Sequence, residues 1–437
     1  MSDWNIAVDV RVDRSVAGRS ARGRPDGGGA GRGRDLCRQV AEMFGLTDRT
    51  ESLYESFRVA VGPGELVALV GPSGSGKTAL LAAIARAVPE AVSVDVGAVA
   101  RSDRPAVALL GGKGGGLSAR LEILSRCGLA EATVLVAPGR CLSAGQQYRL
   151  ALAVAIWRAA GSPEGRPSDS LRLAPAACPR LLLVDEFAAA LDSATAEVLA
   201  AQMPKLVRRY GLAAIVSTPR EELLPLLQPD RIIVKPLAAA AWVEQAAGAP
   251  GAAAAAGRNC PWWLDRQLIV RGRLADYRPL GCFHYLTGPP AAHKRVWTIR
   301  VPDDRRLLGS PEMAAVLVVS PPVLNCRGRN FAIPGQYVGP DRRAVVRHLN
   351  EEVECISRVI VHPTYRGCGL AVRLVRHALR TAQTPLVEAL ATMGTVHPFF
   401  QRAGMTHYGR FPGRTLEYSY YLGSPGAALS ALLGAMA

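Results

Sequence analysis

The sequence predicts an α/β protein built of two halves, and three observations carry that reading. Leu66–Val70 is an apolar β-type run that leads through Gly71-Pro72-Ser73-Gly74-Ser75-Gly76-Lys77-Thr78 into a stretch of helix-forming composition, Ala79–Arg86. Strand-like and helix-like runs then alternate, which implies a largely parallel sheet. Beyond a stretch of alanine and glycine at 238–257, a second strand, glycine loop and helix occupies Ile356–Ala382.

At 437 residues the chain exceeds what one hydrophobic core normally supports. The expected division is a disordered Arg/Gly-rich segment over 1–34, a first domain over 35–237, a linker over 238–257 and a second domain over 258–437. Residues 18–34 are too rich in Gly and Arg to bury a core. They could contact nucleic acid or remain a solvated tail. No run of about 20 apolar residues free of charge or proline occurs, and Asp3, Asp9 and Asp13 break any leader pattern. A chain with no membrane segment of its own, in the cytoplasm, is the expectation. Nine scattered cysteines without a C-x-x-C pair suggest reduced thiols rather than zinc or disulfides.

The formal charge of +16 is unevenly placed: residues 258–437 hold 23 Lys+Arg against 11 Asp+Glu, or +12, leaving +4 for residues 1–257. Such a surplus suits nucleic acid or another polyanion such as coenzyme A; a solvated surface in an Arg-rich chain is the bland alternative.

Along the first half, residues 35–62 read as a helix and then a strand approaching the loop. Gly71, Ser73, Gly74 and Gly76 form a turn whose backbone N–H groups can converge on a phosphate at a helix N-terminus. Lys77 would reach the β- and γ-phosphates, and the Thr78 hydroxyl would hold Mg²⁺. Tyr54 could stack on adenine or serve as a core aromatic. Val107–Leu110 reads as a short strand, and the glycines at 111–116 lack the Lys-Ser/Thr ending of a phosphate loop. A helix follows over Ala119–Cys127. Leu142-Ser143-Ala144-Gly145-Gln146 opens the helical run Tyr148–Ala159, and residues 160–179 read as an irregular insertion. The strand Leu181–Val184 ends in Asp185-Glu186, with Ala190-Leu191-Asp192 beyond, and the strand Ala213–Ser217 leads to Thr218-Pro219-Arg220.

In that order, over roughly residues 40–235, these motifs resemble a P-loop ABC-type ATPase domain. The resemblance implies that Asp185 holds Mg²⁺ through water, that Glu186 polarises the attacking water, and that Ser143, Gly145 and Gln146 of one subunit close over the phosphate loop of another in an ATP-sandwich homodimer. Three departures stand out. Ala144 replaces a customary glycine. Pro219 stands where a switch histidine is expected, so the resemblance implies slow hydrolysis. No glutamine lies between Lys77 and Gln146, which with the short segment before the signature weighs against docking on a transporter's membrane unit.

In the second half, Ala314–Val319 and Ile356–Val361 read as strands, the latter running into His362 and Arg366-Gly367-Cys368-Gly369-Leu370-Ala371, then the amphipathic helix Val372–Ala382. The six-residue loop matches R-x-x-G-x-A and, with Pro398–Met405, resembles the GNAT acetyltransferases over about residues 265–420. That likeness implies a GNAT-like α/β acyltransferase domain gripping the pyrophosphate of acetyl-CoA with this loop, and backbone N–H groups near Val359 and Val361 meeting the thioester oxygen. Glu354, His362 and Glu388 are candidate bases, each more often structural than catalytic, with His284-Tyr285 another pair. Phe400 stands where many members place a tyrosine acid; Tyr408 could substitute. The combined expectation is a soluble ATPase coupled to an acetyl-CoA-dependent N-acyltransferase, with nucleic acid a candidate acceptor. The alternatives are a transporter ATPase and an ATPase bearing a non-catalytic coenzyme A sensor.

Overall fold

The computed structural model describes residues 6–15, 50–111, 116–161, 181–237, 240–245, 267–284, 292–303, 312–394, 397–413 and 417–425, with a few isolated positions between them. The Arg/Gly-rich stretch at 18–34, the insertion at 162–180 and Tyr285 lie outside the described residues.

The first half is organised on a six-stranded sheet, order β4-β5-β6-β3-β7-β8, built from β3 (Leu66–Val70), β4 (Val92–Ser93), β5 (Leu181–Val184), β6 (Ala213–Ser217), β7 (Arg231–Val234) and β8 (Trp242–Gln245). All neighbours are parallel except β7 and β8. Every residue of β3, β5 and β6 is buried, as a parallel sheet covered on both faces requires. Side-chain alternation sends Leu181 and Leu183 to one face and Leu182 and Val184 to the other. The first face packs on Leu80, Leu81 and Ile84 of the helix Lys77–Ala87, and on Tyr54, Phe57, Val59 and Val61. The second packs on the helices Ala144–Ala160 and Ser193–Tyr210.

Three local features differ from the sequence reading. Residues 6–15, inside the segment expected to be disordered, form β1 (Ile6–Ser15), paired antiparallel with β2 (Thr50–Val61). The alternation of Ile6, Val8, Val10 and Val12 was the signal for it. Of Val107–Leu110, read as a strand, Val107–Leu109 belongs to the short helix Ala106–Leu109 behind Pro105 and Leu110 caps it, because four apolar residues carry no period that distinguishes the two. The edge strand β8 lies within the stretch read as linker, where Trp242-Val243 supplies β-forming side chains.

The second half is a seven-stranded sheet, order β14-β15-β13-β12-β11-β10-β9, from β9 (Ile269–Arg271), β10 (Arg295–Arg300), β11 (Met313–Ser320), β12 (Val353–Val361), β13 (Leu386–Ala391), β14 (Thr406–Phe411) and β15 (Tyr418–Gly423). Its one parallel pair, β12 with β13, is bridged by the crossover helix Leu370–Arg380. That helix buries Leu374, Val375, Ala378 and Leu379 against Leu317, Val319, Ile356 and Val387. Between β11 and β12 lie two further helices, Arg327–Ala332 and Arg342–Glu352.

Two candidate nucleotide sites and their contact

The first cradle forms at the carboxyl ends of β3, β5 and β6, where side chains and loop amides project past the sheet. Gly71, Gly74 and Gly76 have φ of 144°, 81° and 100°. A Cβ on Gly71 would stand 2.1 Å from the Lys235 carbonyl oxygen, so no other residue fits there. Lys77 Nζ arches over the loop to the carbonyls of Gly71 (2.6 Å) and Pro72 (2.8 Å). Ser73, Gly74 and Thr78 are exposed at the mouth. Tyr54 is not. It is 3% exposed beneath the loop, 3.5 Å from the position of a Cβ on Gly76, so its ring offers no open face for a base.

Asp185 and Glu186 leave β5 in a strained turn. Glu186 and Ala188 are non-glycine residues with φ of 47° and 59°. Asp185 Oδ1 accepts from the Ser217 hydroxyl at 2.8 Å and from the Glu186 N–H at 3.0 Å, which fixes the carboxylate and leaves Glu186 exposed. Among the described residues no three His, Cys, Asp or Glu side chains gather as a metal cage. One carboxylate and one hydroxyl fit instead an octahedral cation that keeps waters and phosphate oxygens as its other ligands.

The signature segment ends in a reciprocal cap. Ser143 Oγ accepts from the Gln146 N–H (3.4 Å) and Gln146 Oε1 from the Ser143 N–H (3.1 Å), which starts the helix Ala144–Ala160 at an exposed surface. Gly145 is seated on Leu191; a Cβ there would be 3.2 Å from its Cδ2.

The second cradle opens where β12 and β13 part. Their pairing ends at Ile356 opposite Ala389, while β12 continues to Val361, and a bulge interrupts its pairing with β11 between the Arg358 and Ile356 positions. Because the His362 N–H donates to the Ala314 carbonyl on the β11 side, alternation turns the N–H groups of Val361 and Val359 toward the opening. Arg366 Nε closes back on the Val361 carbonyl (3.2 Å). Gly367 and Gly369 have φ of 81° and 79°, Cys368 and Leu370 anchor the loop in the core, and Leu370-Ala371 begins the crossover helix.

The candidate bases have separate fates. Glu354 is fully buried in an ion pair with Arg295. Glu388 is equally buried: Arg329 Nε and Nη2 donate to its two oxygens at 2.9 and 2.8 Å, and the Tyr420 hydroxyl donates at 3.0 Å. Register places Glu354 beside Val387 and Glu388 beside Cys355, so the two carboxylates face opposite sides of the sheet and cannot serve one reacting atom. His362 stands nearest the opening. Its Nδ1 accepts from the Thr364 N–H at 3.3 Å, and its ring meets Phe283 edge-on at 5.2 Å. Burial, with Arg366 nearby, pushes it down to about 4, so it is neutral at pH 7. Phe400 stacks on Tyr421 inside the core and offers no proton. Tyr408 is half-buried on β14.

A family model described as ABC transporter matches residues 54–108, and one described as Acetyltransferase (GNAT) family matches residues 342–405. The ATP-binding protein LolD 1 of the lipoprotein-releasing system of Rhodospirillum rubrum is 32% identical over 191 residues, which cover 40% of this chain and 83% of that protein. The chain belongs to the ABC ATPase family and carries a GNAT-family domain. LolD of the lipoprotein-releasing system of Novosphingobium aromaticivorans is 29% identical over 231 residues, covering 45% of this chain and 93% of its own length. A solved dimeric bacterial ABC transporter cassette aligns with 19% identity and a TM-score of 0.34, over 46% of this chain and 93% of that one.

Four residues that sequence motifs did not mark organise these sites. Ser217 positions Asp185, Arg329 neutralises Glu388, Arg220 Nη1 and Nη2 bind the Leu191 carbonyl and the Ser193 hydroxyl (3.2 Å each), and Gln202 reaches from the ABC ATPase half to the GNAT-family loop. Ser217 and Arg220, which flank Thr218-Pro219, lay next to a recognised motif, whereas Gln202 and Arg329 did not.

Proposed function

We propose that this chain hydrolyses ATP at the first cradle and binds acetyl-CoA at the second, transferring the acetyl group to an amine. The observation that carries this reading is the repeated geometry: each loop turns on left-handed glycines at the carboxyl end of a strand and opens directly into a helix.

At the first site, the loop amides and Lys77 bind the phosphates, while Thr78 and Asp185 hold Mg²⁺, which neutralises phosphate charge when bound. Glu186, turned outward by its positive φ, takes the proton of the attacking water. The exposed Ser143 hydroxyl and the first-turn N–H groups behind it, Gly145 included, face the partner subunit's phosphate loop, which makes a homodimer the working unit. With Pro219 at the switch position, turnover is slow.

At the second site, Val359 and Val361 N–H groups stabilise the thioester oxygen as charge grows, and loop 366–371 holds the pyrophosphate. Neutral His362 is the one candidate base at the opening whose lone pairs are not committed to a buried arginine.

A second reading, a coenzyme A sensor without transfer, is favoured by Phe400, which leaves the thiolate without the usual donor. A transporter role is the reading that the LolD relatives favour, and nucleic acid is the acceptor that the basic second half favours.

Phosphate release, calorimetric titration with coenzyme A and incubation of cell extract with labelled acetyl-CoA test these readings. The proposal expects ATP turnover that Lys77→Ala abolishes, coenzyme A binding, and a labelled macromolecule. Binding without label selects the sensor. Co-purification with a membrane subunit selects the transporter, and stimulation of turnover by RNA or DNA at low salt selects nucleic acid.

A further inference from the structure

One face of the helix Ser193–Tyr210 belongs to both halves. Ala194, Val198 and Gln202 recur at intervals of four along it. Ala194 and Val198 are buried in the same apolar cluster as Tyr365, Cys368 and Leu370 of the second loop. Gln202, 1% exposed, donates from Nε2 to the Gly367 carbonyl at 3.0 Å. Its amide lies so close that a Cβ on Gly367 would stand 2.9 Å from its Cδ.

The peptide joining Gly367 to Cys368 is planar and trans, so its carbonyl and N–H point in opposite directions. Holding the Gly367 carbonyl against Gln202 therefore turns the Cys368 N–H away from the ABC ATPase half. The N-terminus of the same helix, about two turns before Gln202, is also tied to the first site. Asp192 caps it through the Thr195 N–H at 2.9 Å, and Arg220 binds both the Leu191 carbonyl and the Ser193 hydroxyl. Arg220 follows β6, whose last residue, Ser217, holds Asp185. Gln202 Oε1 is buried without a partner, so the contact is half-made and a shifted loop that offers an N–H would complete it.

We propose that this helix couples the two cradles, with Gln202 acting from the ABC ATPase half as a positioning residue for the acyl-CoA loop, so that nucleotide at the first site changes coenzyme A affinity at the second. The inference rests on the assignment of the two cradles above. It requires reciprocity: each ligand changes the affinity of the other by one factor.

Calorimetric titration of the full chain with coenzyme A, with and without Mg²⁺ and a non-hydrolysable ATP analogue, tests it. The expected result is a change of about fivefold or more in coenzyme A affinity, matched by the same factor when the analogue is titrated with coenzyme A saturating. Gln202→Leu, close in volume but without the donor, is expected to weaken coenzyme A binding and bring the ratio toward one, while the affinity for the analogue alone stays unchanged. Arg220→Met, at the helix N-terminus, should bring the ratio toward one while leaving coenzyme A affinity without nucleotide intact, and it decides the matter should Gln202→Leu fail to fold. Tight binding of both ligands with a ratio of one, or a ratio kept in the variants, overturns the coupling and spares the function. Failure of wild-type protein to bind coenzyme A removes both.

Discussion

At the scale of single residues, the chain places strain and charge where chemistry is expected. Ala188 holds a left-handed backbone that alanine disfavours by about 1–2 kcal/mol. It is kept there by its N–H bond to the buried Tyr148 hydroxyl at 3.0 Å. Ala188→Gly relieves that strain but removes a fully buried methyl and frees the unfolded backbone, so the free energy of denaturant unfolding should change by less than about 1 kcal/mol. His362 gives a pH signature. Its folded value near 4 lies below the 6.5 of an unfolded histidine, set first by burial and then by Arg366, with Asp192 opposing. Between those values the unfolded chain binds the proton that the folded chain refuses, so stability must fall as pH drops from 6.5 toward 4. Unfolding curves across that window should steepen in this sense for wild type and flatten for His362→Asn. The glycine loops and the Asp185-Glu186 pair could be read from residues alone, because their chemistry is local. Tyr54 could not: an aromatic 23 residues before Lys77 fits a stacking role or a core role equally, and only packing placed it under Gly76.

At the scale of elements, of the helices Arg327–Ala332 and Arg342–Glu352 the first is joined to the sheet through Arg329. This guanidinium, 1% exposed, spans from the first of them to Glu388 on β13. Removing the cation leaves a buried carboxylate unpaired, so Arg329→Met should destabilise the fold by about 3–5 kcal/mol. The double variant Arg329→Met with Glu388→Leu should recover much of that loss in thermal unfolding, since the penalty resides in the orphaned charge. The strands β3, β5, β6, β11 and β12 were evident as apolar runs, and β2 as the strand approaching the first loop, whereas β1, β4, β7, β9, β10, β14 and β15 went unread. The short helix at Ala106–Leu109 and β8 were missed because neither is long enough to show a period. The ion pair escaped notice for another reason: its members are 59 positions apart, and nothing in either neighbourhood distinguishes a buried arginine from a solvated one.

At the scale of the whole molecule, the proposed cycle needs two copies. Glu186→Gln should bind ATP without turning it over, lowering the rate by about 10²-fold or more, and light scattering with ATP present should register twice the monomer mass. Ser143→Arg, which places bulk and charge at the exposed cap, should return that variant to the monomer mass under the same conditions. A mass that ATP does not change would remove the sandwich from the proposal.

What the sequence determined by itself was the pair of cradles, since a phosphate loop needs only a strand, glycines and a helix in one continuous stretch. What tertiary structure decided was everything that joins distant stretches. The burial of Glu354 and Glu388 on opposite faces depends on strand register, and the meeting of Gln202 with Gly367, 165 residues apart, depends on how two sheets and their helices stack. Local pattern encodes which elements form. Which side chain of one element ends beside which backbone of another is set by the packing of all of them together.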